Sequence, residues 1–162
     1  MDILYCMDTS SWIDAKEVYP IANFPSLWDK LDSLVNKKHI ISPHEVYEEL
    51  KQKDDEVFNW VNQRKQIFKV LDEEQVAVAK EIVREYPKLI DEQKENPDAN
   101  PFVIALAIVE NRNLALAGGK CVVATGEKLG SLDKPRIPNV CISRGIEYLD
   151  ILALVRREGW IF

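Results

Sequence analysis

Short apolar runs alternate with amphipathic stretches along this chain. Ile3 to Met7 is apolar and stops at Asp8-Thr9-Ser10-Ser11, the pattern of a buried strand turning into a helix. Pro25 to Val35 carries Leu27, Trp28, Leu31, Leu34 and Val35 at the spacing of a helix with one buried face. His39-Ile40-Ile41 reads as a second strand. Ser42-Pro43-His44-Glu45 then reads as a helix start, with Ser42 as N-cap, Pro43 in the first turn and Glu45 closing a capping box. From Asp54 to Glu95 the pattern is charged and helical, interrupted at Pro87, and Asn96 to Pro101 reads as a turn. Phe102 to Asn111 is apolar nearly all round, which predicts a deeply buried helix. Cys121–Thr125 and Val140–Ile142 read as further strands, and Ile146–Arg157 as a closing helix.

Strands alternating with helices predict an α/β domain with a mainly parallel sheet. Its 162 residues fit one domain, with residues 54–95 as a helical insertion or cap. A chain of that size folds on its own core, without disulfides or a structural metal.

Composition narrows the chemistry. Apolar residues at 46% and charged residues at 30% are ordinary globular usage and exclude a disordered or fibrous chain. The longest apolar run, Phe102 to Val109, is far short of the roughly 20 residues of a membrane span. The N-terminus begins Met1-Asp2 and enters a strand pattern at once, unlike a signal peptide. The expectation is a cytoplasmic protein with no membrane partner. With 21 Lys+Arg against 27 Asp+Glu, the net charge of −6 opposes a broad basic footprint for nucleic acid, although total charge ignores placement.

Cys6, Cys121 and Cys141 lie singly in apolar stretches and read as reduced core thiols. Two histidines, His39 and His44, are too few for a Cys/His zinc site, and neither accompanies a GxSxG nucleophile motif. A metal here needs oxygen ligands, which favours Mg2+ or Mn2+.

Open α/β sheets bind ligands beyond the carboxyl ends of their strands. Asp8 follows the first strand, Glu127 follows the Cys121–Thr125 strand, and Asp98 and Asn100 precede the buried helix. On the helix after the second strand, Pro43, Val46, Tyr47 and Leu50 form one apolar face. Glu48 points away from that face and Glu45 is accounted for by the cap, so Glu49, bordering the face, is the inward candidate. Each residue also has a plain structural role open to it. Asp8 and Asn100 can cap helices, Asp98 can shape a turn, and Glu49 and Glu127 can be solvated surface acids. Several acids at one sheet edge repel unless a cation joins them, and carboxylates holding Mg2+ or Mn2+ can activate water against a phosphodiester.

At these residues the chain resembles PIN domains. The likeness rests on YCMDTSSWI, ISPHEVYEEL, NPFVIALA and VVATGE, and continues through KPRIPNVC and REGWIF, which resemble a PIN-like branch of prokaryotic proteins. It spans essentially the whole chain. The resemblance implies a three-layer α/β/α sandwich whose acidic pocket binds Mg2+ or Mn2+ and cleaves single-stranded RNA, as in the ribonuclease toxins of toxin–antitoxin pairs. It implies Asp8, Glu49 and Glu127 as the matching acids and metal ligands. Thr9 or Ser10 would supply a supporting hydroxyl, and Thr125 another. Members of the family tend to read Asp-Pro-Phe where this chain has Asn100-Pro101-Phe102. Asn100 keeps an oxygen ligand but loses the charge. Either Asp98 replaces the missing acid, or Asn100 weakens or inactivates the site, as a natural or an introduced change. The rival reading is a non-cutting PIN-like module that binds RNA or protein. Haloacid-dehalogenase phosphatases need an acid where Ser10 stands, and receiver domains need an acidic pair where Asp8 stands alone.

For partners, the sequence offers RNA, an antitoxin protein and a second copy of the chain. Trp28, Phe58, Trp60, Trp160 and Phe162 read mainly as core, with any exposed remainder available for a dimer or antitoxin. Lys37-Lys38, Arg64-Lys65, Lys134 with Arg136, and Arg156-Arg157 read as solvated faces unless some flank the acidic pocket, where they could hold an RNA backbone.

Overall fold

The apolar run Ile3–Met7 forms β1, the central strand of a five-stranded parallel sheet; the computed structural model describes residues 2–90 and 98–162. A strand buried on both faces tolerates no polar alternation, and Tyr5, Cys6 and Met7 are fully buried. After β1 come α1 (Thr9–Val18), α2 (Pro25–Asn36), β2 (Ile40–Pro43), α3 (His44–Lys53), α4 (Asp55–Asn62), β3 (Phe68–Lys69) and α5 (Glu73–Glu85). The chain continues with α6 (Asn100–Ala115), β4 (Lys120–Ala124), α7 (Ile137–Arg144), β5 (Tyr148–Leu149) and α8 (Ile151–Glu158). The sheet order is β3-β2-β1-β4-β5. Tyr5 lies opposite Ile40 on β2 and Val122 on β4, with every pairing parallel.

Helices cover both faces, giving the three-layer α/β/α sandwich that the resemblance implies, built on the parallel sheet that strand–helix alternation predicts. α6 packs along β4, with α5 and α7 against it. Its residues Val103 to Val109 are all buried, which is why its sequence shows no polar face. On the opposite side α1 meets α3, α4 and α8. Trp12 is completely buried there, and Trp60 packs against both Trp12 and Trp28 at ring distances of 5.8 and 5.0 Å. Arg64 covers Trp60 at 3.7 Å and donates to Asp32, so this basic residue serves packing. Cys6, Cys121 and Cys141 are free and buried, as their apolar settings predict.

Four elements differ from the periodicity reading. Val140–Ile142 lies within helix α7, not a strand; Pro138 sits in its first turn and Gly145, at φ +68°, ends it. A three-residue apolar run carries no period that distinguishes the two states. The Ile146–Arg157 stretch first supplies edge strand β5, and Asp150 then caps α8 by accepting the Ala153 N–H. Within 54–90 the helices are joined by β3, which pairs with β2 through Ser42–Phe68 and Pro43–Lys69, so the stretch is not wholly helical. Residues 91–95 of that stretch, and Asn96-Pro97 of the turn, lie outside the described residues. Finally, Ser42 does not cap α3. It belongs to β2, donates its hydroxyl to the Met7 carbonyl at 2.7 Å and accepts the Trp12 indole N–H at 3.3 Å. α3 begins after Pro43 with no side-chain cap.

Candidate active site

From β1 the chain first builds outward through β2 to β3, then returns to the other side of β1 for β4 and β5. The order therefore reverses between β1 and β4. Open α/β sheets bind ligands beyond the strands' carboxyl ends at such a reversal, where the two following loops diverge. Asp8 follows β1 at that edge, and Thr125, Gly126 and Glu127 follow β4.

Asp8 is the N-cap of α1, its Oδ1 accepting the Ser11 N–H at 2.7 Å. It also accepts the hydroxyls of Thr125, at 2.6 Å on Oδ2, and Ser10, at 2.9 Å. One carboxylate thus both caps α1 and ties it to the loop after β4. Asp8 is only 2% exposed, and burial pushes its carboxyl up to about 7. Donation from Thr125, Ser11 and Ser10 offsets part of that rise, while the charge of Glu127 adds to it.

Glu127 is held from three sides. Its N–H donates to Thr125 Oγ1 at 3.0 Å. Its Oε1 accepts the Ile137 N–H at the start of α7, at 3.1 Å, and its Oε2 accepts the Asn100 side-chain amide at 3.3 Å. Asn100 is the first residue of α6 and makes no capping bond; the N-cap position is Ala99. Instead its backbone N–H donates to Asp98 Oδ1 at 3.0 Å. Asp98 therefore shapes the helix start while the Asn100 side chain turns to Glu127, reversing the capping assignment.

Glu49 is 8% exposed, and its Oε1 accepts the Thr9 hydroxyl at 2.5 Å. Glu48 instead sits half-exposed, paired with His44 at 3.1 Å. The helical-face choice of Glu49 over Glu48 agrees with this placement. The two candidate hydroxyls divide the work: Thr9 serves Glu49, and Ser10 serves Asp8 and the Gly126 N–H.

Asp8, Ser10, Thr125, Glu127, Asn100 and Asp98 thus form one continuous hydrogen-bonded chain, and Glu49 joins through the residue next to Asp8. Asp8 and Glu127 act on each other electrostatically. Among the described residues no group of three or more His, Cys, Asp or Glu side chains is placed to hold a metal ion.

Asp14 is the site neighbour that motif reading passes over. A Cβ on Gly126 would come within 2.0 Å of Asp14 Oδ2, so the carboxylate occupies the space a larger residue needs. Burial raises the Asp14 carboxyl, and the Lys128 charge opposes that rise. Its signal in the sequence is its position four residues after Ser10, one helical turn along the same face. Below the site, burial pushes the Cys141 thiol up to about 12, which keeps it protonated and inert.

The chain matches, over residues 5–162, the family model described as a domain of unknown function (DUF4411). No curated protein matches it. Among the described residues no helix is long and apolar enough to cross a membrane.

Proposed function

The chain belongs to this family of unknown function, and from its pocket chemistry we propose that it is a PIN-like, Mg2+- or Mn2+-dependent ribonuclease of the cytoplasm, weakened by Asn100. Single-stranded RNA is the proposed substrate. The observation that carries the proposal is the chain of contacts from Asp8 through Thr125 to Glu127 and Asn100, at the reversal of strand order in a parallel sheet.

An oxygen-preferring cation suits the donors. Asp8 and Glu127 are neighbouring carboxylates, and the buried one has its ionised form disfavoured by both burial and the other's charge. A divalent ion would be held by these two, with Asn100 Oδ1 and Glu49 or Asp98 drawn in from positions at which, among the described residues, no three acids yet converge, and it would offset that penalty. When bound, such an ion supplies water of lowered pKa and neutralises charge on the phosphoryl oxygens. The chain's own residues have positioning roles. Ser10, Ser11 and Thr125 fix the Asp8 carboxylate, and the start of α7 fixes Glu127. No side chain is assigned as a covalent nucleophile.

A second reading has its own observation. The Asn100 amide donates to Glu127 in the place where the PIN resemblance expects a third acid, an arrangement suited to a non-cutting RNA- or protein-binding module. Under the toxin reading an antitoxin protein restrains the enzyme. That protein, or a second copy of the chain, would use exposed apolar residues such as Leu152, Ile161 and Phe162.

Mn2+ titration with cleavage of a labelled single-stranded RNA tests the proposal. Expected are Mn2+ binding that is lost in Asp8→Asn, and slow, EDTA-sensitive cleavage that Asn100→Asp accelerates. If neither the parent chain nor Asn100→Asp cleaves RNA or binds Mn2+, the module reading replaces the nuclease.

A further inference from the structure

Residues 128–136 form a loop tied to the site at both ends. It leaves from Glu127 and closes where the next residue, Ile137, donates its N–H to the Glu127 carboxylate at 3.1 Å. Asn139, in the first turn of α7, braces the interior. Its Oδ1 accepts the Gly130 and Arg136 N–H groups at 2.8 and 2.9 Å, and its amide donates to the Gly130 carbonyl at 3.0 Å. Ser131 Oγ accepts the Lys134 N–H at 3.1 Å. A Cβ at Gly130 would come within 2.2 Å of the Lys134 carbonyl, so the loop doubles back there in a way a larger residue obstructs. These bonds make it a shaped element of the site rim.

Its charge differs from that of the whole protein. Lys128, Lys134 and Arg136 face a single acid, Asp133, within a chain of net charge −6. Between the loop and the Pro87–Leu89 turn lies a cavity of about 460 Å3 lined by Pro87, Lys88, Ile90, Asp133 and Lys134. Leu132, beside it, is 100% exposed. Lys134 is three residues from Ile137, so their Cα atoms are within about 11 Å of one another. The loop that lines the cleft is therefore the one that closes on the Glu127 carboxylate.

We infer that this cleft is a backbone subsite for single-stranded RNA, with Lys88 and Lys134 holding phosphates beside the one at the acidic pocket and Leu132 offering an apolar surface to a base. The inference rests on the ribonuclease reading of that pocket. Two cations beside a proposed phosphodiester site complement the closely repeated charge of a nucleic-acid strand. The placement also reconciles an acidic protein with an RNA substrate, because its local positive charge is concentrated where the strand passes.

Fluorescence anisotropy with a labelled single-stranded RNA, using the full chain in EDTA, tests binding apart from cleavage. Lys88→Ala/Lys134→Ala is expected to weaken binding by about tenfold at low salt and to make the slope of log K against log salt shallower by about 1.4, as for two single-strand phosphate contacts. Lys51→Ala/Lys53→Ala, two exposed lysines on α3, is expected to change neither quantity. Matching thermal melts of the variants keep loss of fold out of the comparison. Unchanged affinity in Lys88→Ala/Lys134→Ala overturns the subsite, even if the parent chain cleaves RNA. Displacement of the RNA by polyglutamate as readily as by polyuridylate of equal charge also overturns it and assigns the cleft to an acidic protein. Lysine-dependent binding without any Mn2+-dependent cleavage sustains the RNA cleft and removes the nuclease reading instead.

Discussion

The side-chain amide of Asn100 donates to the Glu127 carboxylate over 3.3 Å, and the other oxygen of that carboxylate receives the Ile137 N–H at the start of α7. An amide is compatible with this position because it brings a donor to an acid already near Asp8. An aspartate would bring a third negative charge instead. Asn100 therefore ties the start of α6 to the Glu127 carboxylate, and in the proposed metal site it would be the weakest ligand of the set.

Replacing Asn100 by Asp reverses that balance. The variant loses one hydrogen bond and gains repulsion, so the metal-free protein is expected to lose about 1–3 kcal/mol in urea denaturation. Mn2+ affinity is expected to rise by about tenfold or more, through the added ligand charge. Urea denaturation and calorimetric Mn2+ titration read the two signs, and a variant that is less stable yet binds Mn2+ no better contradicts the proposed role.

Asp8 makes stability depend on pH. Its folded pKa, about 7, lies above the ordinary carboxylate value of 3.8. Between these values the unfolded chain releases the proton while the folded chain keeps it, so this group's contribution to stability falls as pH rises from about 4 to 7. Asp8→Asn removes the titration and is expected to flatten thermal stability across that range. Thr125→Val removes a donor that lowers the Asp8 pKa, so it should move the midpoint upward, a shift readable by NMR titration of the Asp8 carboxyl carbon.

Gly126 and Asp14 should behave as a coupled pair. Gly126→Ala sets a methyl where the Asp14 carboxylate lies, so the Asp14 side chain must swing away, and a loss of about 1 kcal/mol or less is expected. In an Asp14→Ala background the same change should cost much less. A double-mutant cycle with no coupling would place the cost in the backbone of the β4 loop.

Ser42 links three elements through one hydroxyl. Ser42→Ala leaves the buried Trp12 N–H and Met7 carbonyl without that partner, and a loss of about 2 kcal/mol is expected. The loss should be accompanied by a shift in tryptophan fluorescence. A change confined to the helicity of α3, with Trp12 emission unaltered, would support the capping role that the sequence suggested.

Sequence periodicity alone determined the α/β class, the buried first strand, the buried helix α6 and the inward choice of Glu49, because burial along one element imprints directly on residue order. It misread Val140–Ile142 and hid β3 and β5, since runs of two or three residues carry no usable period and edge strands gain their identity from the strand beside them. The acids of the site were legible as residues following strands. Their connections were not, because Thr125 meets Asp8 across 117 positions of chain and Asn100 meets Glu127 across 27. Whether Asn100 caps a helix or grips an acid depends on what lies opposite it in space. Local sequence sets which donors and acceptors are available; only the order in which the strands pack decides which of them meet.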